Sequence, residues 1–274
     1  MAHANRRAFH IELLSPKQKS QKLEAELEAF TEKYRQAFAA GHMVCITDNP
    51  MGNLSFQGTE LIEELKLPVR AEQVSIHLNT FHTKKDLDGI LAKAAELGID
   101  NLLAISGDGS PRLPKLAGRD VGYDVESVTA VELTRYIHRE YAGRFTIGVA
   151  FNPYEPLHHE LEKMQRKVDA GAAYVTTQPI IESHEAMARL DAFGIPVIVE
   201  CWMSRKLHLL SECVGYEIPE DTPYDPMANL KTLMANYPRC QFYLAMLGFK
   251  TQFPALDQLD APGGEPNENA KVRQ

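Results

Sequence analysis

The stretch Leu161–Gln178, LEKMQRKVDAGAAYVTTQ, decides the fold because it holds a helix, a turn and a buried strand in one short run. The apolar positions at helical spacing are Leu161, Met164 and Val168. Gly171 stands where the end of a helix needs a positive φ, and a β-prone run, 173–177, follows it. Pro179 cannot donate to a sheet, so the strand ends at Gln178. The stretch therefore predicts a helix–strand repeat with a polar amide at the carboxyl end of a strand, where open sheets and barrels bind ligands.

Further apolar runs of strand length repeat this pattern along the chain. The predicted strands are 9–14, 42–47, 73–79, 101–106, 145–151, 173–177, 196–201 and 241–244. Predicted helices occupy 18–40, 55–65, 83–97, 125–141, the first part of the opening stretch, 183–193 and most of 202–238, with an irregular middle at 219–226. Nearly continuous apolar strands separated by helices are typical of parallel sheets buried on both faces, so the chain predicts an α/β fold.

A closed (β/α)8 TIM barrel in a single domain fits these units best, and we expect it to occupy residues 1–253. The alternative is an open doubly wound sheet. No GxGxxG follows the first predicted strand, so a dinucleotide-binding fold of that type is not indicated. Residues 254–274, including APGGEPNENAKVRQ, are polar, and we expect them to form a disordered tail.

Composition excludes several functional classes. The 274 residues carry 29 Lys and Arg against 37 Asp and Glu, a net charge of −8 that disfavours a nucleic-acid partner. No apolar run reaches the about 18 residues that a membrane span needs, and no apolar segment follows the N-terminal arginines, so neither a membrane partner nor a secretory signal is indicated. None of the 4 cysteines has metal-ligand spacing, so we expect no metal, reduced thiols and a cytoplasmic location.

Polar side chains in and after the predicted strands define the candidate site, because a barrel places its chemistry at the strand ends. Glu12 lies between Ile11 and Leu13; burial should raise its pKa and make it a proton donor near neutral pH, unless a Lys or Arg pairs with it for structure. Asp108 lies between two glycines, which let the backbone approach a ligand closely. The alternative is a turn residue that caps the next segment.

Two further side chains complete the candidate set. Gln178 both donates and accepts hydrogen bonds, which suits an amide-like heterocycle, or it is a satisfied polar residue at a strand end. His77 is better explained as a hydrogen-bonded histidine of the core. Arg166 and Lys167 lie on a predicted helix, where charges are solvated by default. The sequence shows no P-loop, no HExxH and no Ser-His-Asp spacing.

These residues resemble the catalytic domain of the methylenetetrahydrofolate reductase family, a flavin-dependent (β/α)8 barrel. The segment Arg166–Gln178, RKVDAGAAYVTTQ, is similar to the family's KVDAGA…ITQ. The SGD at Ser106–Asp108 stands where the family has RGD, and Glu12 with Ser15-Pro16 is similar to the family's EFFPP. The resemblance covers residues 8–250.

The resemblance implies a role for each matching residue. Glu12 corresponds to the acid that protonates the N10 side of the pterin during ring opening, Asp108 to the carboxylate that faces the pterin and tunes the flavin, and Gln178 to the amide that contacts folate. The implied cofactor-binding positions are Thr47, His77, Ser106, Gly107, Asn152, Glu160, Arg166 and Lys167. Glu160 replaces an Asp of the family, and Lys167 is expected near the FAD diphosphate.

The sequence departs from the family at three places. Ser106 stands where the family has an FAD-contacting Arg, and Leu247 where a substrate-binding Arg is expected. Phe151-Asn152-Pro153 stands where the family has a Tyr-Pro pair followed by a His. A bidentate Arg–phosphate contact is among the stronger single interactions, so we expect FAD to be bound weakly.

The resemblance implies an oxidoreductase of one-carbon metabolism that interconverts 5,10-methylenetetrahydrofolate and 5-methyltetrahydrofolate, with FAD as hydride carrier and NADH or NADPH as electron partner. It also implies a folate substrate and a homo-oligomer, since family relatives are often oligomers. Two alternatives stay open. One is a flavin-independent methyltransferase that binds methyltetrahydrofolate and passes the methyl group to a corrinoid partner; the other is a folate-binding subunit of a larger reductase complex.

Overall fold

Eight parallel strands close into a barrel in the computed structural model, which describes residues 7–259. The strands are β1 His10–Leu13, β2 Met43–Ile46, β3 Val74–Leu78, β4 Asn101–Ala104, β5 Thr146–Phe151, β6 Tyr174–Thr177, β7 Val197–Trp202 and β8 Gln241–Ala245. Each strand pairs with the next, and β1 pairs with β8 to close the sheet. The prediction of a single-domain (β/α)8 TIM barrel is confirmed, and the open doubly wound sheet is excluded.

Helices connect the strands and pack against the outer surface of the barrel. They are α1 Leu23–Ala39, α2 Gly58–Glu64, α3 Lys84–Glu96, α4 Ala130–Glu140, α5 Leu157–Asp169, α6 Met187–Leu190, α7 Leu207–Val214, α8 Pro226–Asn236 and α9 Phe249–Gln252. Their apolar sides join the outward side chains of the strands in one main core. Among residues 7–259, no helix combines the length and the apolarity that crossing a bilayer would need.

The opening stretch folds as its pattern predicts. Met164 on α5 is fully buried, and every residue of β6 is buried. Gly171 has a φ of 104°, and a Cβ there would lie 2.9 Å from the ring of His138, so the turn between α5 and β6 requires glycine. Pro179 follows β6 and ends the ladder.

Alternate strand residues fill the inside of the barrel. A separate apolar cluster occupies it, made of Cys45, Leu103, Tyr174, Ile198 and Tyr243. Gly148 on β5 makes room for this packing, because a Cβ there would lie 2.1 Å from the ring of Tyr174. The hydroxyl of Tyr174 donates to the carbonyl of Leu102 at 3.2 Å. The inside is therefore a packed core, and the mouth formed by the carboxyl ends of the strands is where barrels of this kind bind ligands.

Several predicted helices are shorter than expected, among them the one predicted at 125–141, which begins only at Ala130. The helix predicted at 18–40 begins only at Leu23, because Lys17 pairs with Ser55 in an antiparallel bridge and keeps the chain out of the helix. Apolar periodicity alone does not show such a loop-to-loop contact.

The helix predicted at 183–193 is also reduced. It becomes α6 and a 3-10 turn at Asp191–Phe193. The ring Nδ1 of His184 accepts the backbone N–H of Ala186, so the first residues form a side-chain-capped turn instead of helix.

The described chain extends beyond the predicted boundary at 253. Pro254–Leu259 form a 3-10 helix, and Leu256 is buried against the core. The boundary at 253 and the disordered tail stay predictions, and most of that tail, 260–274, lies outside the described residues.

Candidate active site

The inside of the barrel carries three side chains in one hydrogen-bonded chain, each from a different strand. The hydroxyl of Tyr243 on β8 donates to Oε2 of Glu12 on β1 at 2.7 Å and lies 3.3 Å from Nε2 of His77 on β3. Burial lowers the pKa of His77 to about 4, so its imidazole is neutral near pH 7. Tyr243 therefore bridges a carboxyl group and an uncharged imidazole.

Glu12 shares the interior with a second carboxyl group. Within residues 7–259 the hydrogen-bond partner of Glu12 is Tyr243. Glu12 forms no ion pair with a Lys or Arg of these residues, although the alternative of a structural ion pair would require one. Burial raises the pKa of Glu12, against the opposing effect of the Tyr243 hydrogen bond. Burial and the negative charge of Glu12 raise the pKa of Glu200 on β7 well above its ordinary value. Two neighbouring carboxyl groups with raised pKa values hold their protons to higher pH than free carboxyl groups do.

The turn after β4 places Asp108 at the mouth. Asp108 is exposed, and its Oδ2 accepts the backbone N–H of Met51 at 3.0 Å, which joins the turn to the loop after β2. Gly107 has a φ of 75°, and a Cβ there would lie 2.6 Å from Cβ of Asn79. The side chain of Ser106 is exposed and makes no hydrogen bond within the described chain. Asp108 thus contacts another loop and does not cap the segment that follows it.

Gln178 and Thr47 differ in whether their side chains form hydrogen bonds with other protein groups. The backbone N–H of Gln178 donates to the carbonyl of Phe151 at 2.9 Å. Its side-chain amide is partly exposed and has no hydrogen-bond partner in the described part of the chain, so the amide is available to a ligand. Thr47 is buried, and its Oγ1 accepts the backbone N–H of Ser15 at 3.0 Å, so it holds the loop after β1.

Glu160 and Asn152 brace the turn after β5. Glu160 is buried on α5; it accepts the N–H of Asn152 at 3.3 Å and the ammonium of Lys163 at 2.7 Å. The side-chain oxygen of Asn152 accepts the N–H of Tyr154 at 3.0 Å. The Glu160 carboxylate and the side-chain oxygen of Asn152 are therefore occupied by protein groups.

Lys167 is a partly buried cation. Its ammonium donates to the carbonyl of Ala150 on β5 at 2.6 Å, and burial lowers its pKa. Within residues 7–259 it forms no ion pair, whereas the neighbouring Arg166 is exposed to solvent. A cation that lacks a carboxylate partner can form an ion pair with an anionic group of a ligand.

Two interior residues received no role from the sequence. Tyr243 contacts Glu12, yet it is an ordinary apolar-run tyrosine when the run 241–244 is considered alone. Side chains alternate between the two faces of a strand, so Tyr243 lies on the same, inward face of β8 as Gln241. This inward position was the signal in the sequence that could have identified Tyr243. Glu200 is a carboxylate in the apolar run 196–201, and the reasoning that identified Glu12 applies to it as well.

Two other features of the described chain could hold a ligand. His158, His159 and Glu162, all exposed on α5, have ligand atoms within 4.8 Å of one another. A cleft of about 870 Å³ lies beside α7 and α8. Its walls include Arg205, Leu210, Ile218, Tyr224 and Asn229. Neither feature includes a predicted site residue, so the candidate site remains the barrel mouth.

Comparisons with known proteins agree with this placement of the fold and the motifs. A sequence profile described as "Methylenetetrahydrofolate reductase" matches residues 1–219. Two relatives in Schizosaccharomyces pombe are similar in part: "Methylenetetrahydrofolate reductase 1" is 30% identical over 110 residues, and "Methylenetetrahydrofolate reductase 2" is 32% identical over 130 residues. The matches cover 38% and 43% of this chain but only 17% and 20% of those relatives, so the chain matches about a fifth of their length.

A solved structure described as dihydropteroate synthetase with product is similar in fold. It superposes with a TM-score of 0.51 at 12% identity, over 93% of this chain and 94% of that one. At this identity the similarity supports the barrel architecture alone.

Proposed function

We propose, because the chain belongs to the methylenetetrahydrofolate reductase family, that it interconverts 5,10-methylenetetrahydrofolate and 5-methyltetrahydrofolate as an oxidoreductase of one-carbon metabolism. The observation that carries the proposal is Glu12, a partly exposed carboxyl group inside the barrel with a raised pKa and a hydroxyl partner in Tyr243. Opening of the five-membered ring breaks the bond between N10 and the bridging carbon, and N10 takes up a proton as that bond breaks. A carboxyl group whose pKa is raised by burial is suited to give this proton.

Glu12 serves both directions of the reaction in this proposal. In the reductive direction it gives its proton to the N10 side; in the oxidative direction the carboxylate takes that proton back as the ring closes. Tyr243 keeps the carboxyl group oriented in either protonation state, because a phenol both donates and accepts. The neutral His77 on the other side of Tyr243 adds no positive charge that would favour the carboxylate.

Asp108 and Gln178 orient the pterin. Oδ2 of Asp108 accepts the N–H of Met51, while Oδ1 has no partner in residues 7–259 and is left for N–H groups of the ring. The unpartnered amide of Gln178 supplies one donor pair and one acceptor. A pterin edge alternates donors and acceptors, so these two side chains form a complementary pair for it.

The residues present fit a weakly held FAD. Lys167, which forms no ion pair within residues 7–259, supplies a positive charge that would hold the diphosphate, and Ser106 offers only a hydroxyl. Gly107 stays in the set as a matched position, because Asn79 fills the space on its Cβ side. FAD, when bound, supplies hydride transfer, with NADH or NADPH as electron partner. Thr47, Asn152 and Glu160 contribute by fixing the loops that shape the mouth, since their side chains bind protein groups. The matched positions His77 and Arg166 complete the proposed cofactor set.

The test combines a spectrum with an activity assay. Purified protein is titrated with FAD while absorption is followed between about 350 and 500 nm, and oxidation of 5-methyltetrahydrofolate is followed anaerobically with an artificial electron acceptor. We expect flavin uptake and FAD-dependent turnover. Absence of turnover at saturating FAD would refute the proposal. Methyl transfer to a corrinoid protein without flavin would select the methyltransferase, and turnover only with a second chain would select the subunit of a larger complex.

The proposal extends to a cytoplasmic homo-oligomer, the usual state of the family. Sedimentation of the purified chain with and without FAD tests the oligomeric part. A single monomeric species over the working concentration range would remove it without affecting the proposed reaction.

A further inference from the structure

The carboxylate of Asp48, just after β2, is buried and surrounded by donors. Its Oδ2 accepts the backbone N–H of Asn79 at 2.8 Å and lies 2.7 Å from Nε2 of His82. Its Oδ1 accepts the side-chain amides of Asn49 at 3.0 Å and Gln57 at 3.1 Å. Each carboxylate oxygen of Asp48 therefore has two hydrogen-bond partners. They belong to the loops after β2 and β3, so a single buried side chain ties these two loops together.

Asn79 extends this contact to the turn after β4. Its side-chain amide donates to the carbonyl of Asp48 at 3.0 Å, and its Cβ lies so close to Gly107 that no side chain fits at that position. The hydroxyl of the next residue, Thr80, donates to the carbonyl of Ser106 at 2.7 Å. The loop after β3 therefore supports the turn after β4 from one side.

The loop after β2 supports the same turn from the other side. Met51 has a φ of 56°, a backbone conformation that methionine rarely adopts, and in it the N–H donates to Oδ2 of Asp108 at 3.0 Å. Gly52 packs on the turn as well, since a Cβ there would lie 3.0 Å from the carbonyl oxygen of Gly109. Both supports of Asp108 are thus anchored at one point, the carboxylate of Asp48.

We infer that Asp48 is a positioning residue, which holds the Asp108 carboxylate where it receives the pterin. The side chain of Asp48 is only 1% exposed, so it acts through the loops and does not touch a ligand. The inference rests on the proposed function, because it gives Asp108 its folate-binding role. It predicts that Asp48 matters for folate only while the carboxylate of Asp108 is present.

A double-mutant cycle on folate affinity tests this dependence. The dissociation constant of 5-methyltetrahydrofolate is followed through the fluorescence of Trp202, the 1 tryptophan of the chain, which lies at the end of β7. We expect Asp108→Asn to weaken binding at least tenfold and Asp48→Asn to weaken it about tenfold. The double variant should bind like Asp108→Asn to within about twofold, because neighbours that act through one group are not additive.

A matched control and a second perturbation keep the test decisive. Asp100→Asn removes a carboxylate that accepts the backbone N–H of Glu72 at 3.1 Å. Asp100 precedes β4 and so lies at the opposite end of the barrel from the mouth. The folate affinity of this variant should equal that of the unmodified protein. If Asp48→Asn fails to fold, Asn79→Ala replaces it, since this change removes the side-chain amide that donates to the carbonyl of Asp48 and leaves the buried carboxylate intact. The same non-additivity with Asp108→Asn is expected.

The outcomes separate this inference from the proposed function. Additive losses in the double variant, with Asp108→Asn itself impaired, would overturn the positioning role and leave the function standing. Unchanged affinity in both Asp48→Asn and Asn79→Ala would do the same. Unchanged affinity in Asp108→Asn would remove its proposed binding role, and the inference with it, whereas the proposed reaction is judged separately by turnover of Glu12→Gln.

Discussion

Glu12→Gln should abolish folate turnover while it preserves the barrel. The amide has the volume of the carboxyl group, and its oxygen can still accept the hydroxyl of Tyr243, now 2.7 Å from Oε2, so no buried polar atom loses its partner. What the amide lacks is the proton to give. Loss of one general acid costs about 10²–10⁴-fold in rate, a rise of about 3–5 kcal/mol in the barrier.

The stability of this variant provides an independent check on the environment of Glu12. The pKa of Glu12 is raised in the folded state, so the native protein holds a proton that the unfolded chain releases. Its contribution to stability therefore falls as pH rises above the ordinary carboxyl range. Gln does not ionise. Between about pH 5 and about pH 8 the melting temperature of Glu12→Gln should fall less than that of the unmodified protein.

The assay follows 5-methyltetrahydrofolate oxidation under single-turnover conditions and, in parallel, NADH or NADPH oxidation by added FAD-loaded protein. Glu200→Gln is the comparison variant, because it removes the other interior carboxylate but keeps the proposed donor, and it is assayed at a pH below its alkaline loss of activity. Folate turnover near that of the unmodified protein in Glu12→Gln would refute the acid assignment. An equal loss in the nicotinamide reaction would also refute it, since that half-reaction needs no proton at N10.

Three further predictions follow from other parts of the structure. Glu200→Gln should shift the ionisation of Glu12 to lower pH, visible as an earlier alkaline loss of folate reduction, because the opposing charge is gone; an unshifted profile would show that the two groups do not interact. Ser106→Arg should tighten FAD about ten- to a hundredfold, measured by flavin fluorescence titration, since a charge-assisted hydrogen bond contributes about 1.5–3 kcal/mol; equal affinity would place the phosphates elsewhere. Gly148→Ala should lower stability by about 1–3 kcal/mol in urea unfolding, because its Cβ would lie 2.1 Å from the ring of Tyr174; unchanged stability would mean that the ring has room to move.

The fold was predictable from sequence because its information is local. A parallel strand buried on both faces must be a short apolar run, and the turn at Gly171 requires a residue that tolerates positive φ. Errors arose where distant segments meet. Lys17 pairs with Ser55, and His184 caps its own turn, so helices there begin later than periodicity suggests.

The candidate site was predictable only in part. Glu12 stood out because a carboxylate within an apolar run is unusual, and the same reasoning applies to Glu200. Tyr243 gave no such signal, since tyrosine is common in strands and its contact with Glu12 arises only on closure of the barrel. Whether Thr47 is free or bonded to Ser15 is likewise a matter of three-dimensional geometry, which composition and spacing do not encode.

The contact between β1 and β8 determines when, during synthesis and folding, the pair of Glu12 and Tyr243 can form. Glu12 and Tyr243 lie 231 positions apart in sequence. During synthesis Glu12, the proposed proton donor, leaves the ribosome early. It has no Tyr243 partner until almost the whole chain has been synthesised. Contacts of such long sequence separation form late in folding. Fragments that stop at residue 219, where the family match ends, would retain the acid but not its hydroxyl partner. Catalytic activity would then require that the last strand is synthesised and paired with the first.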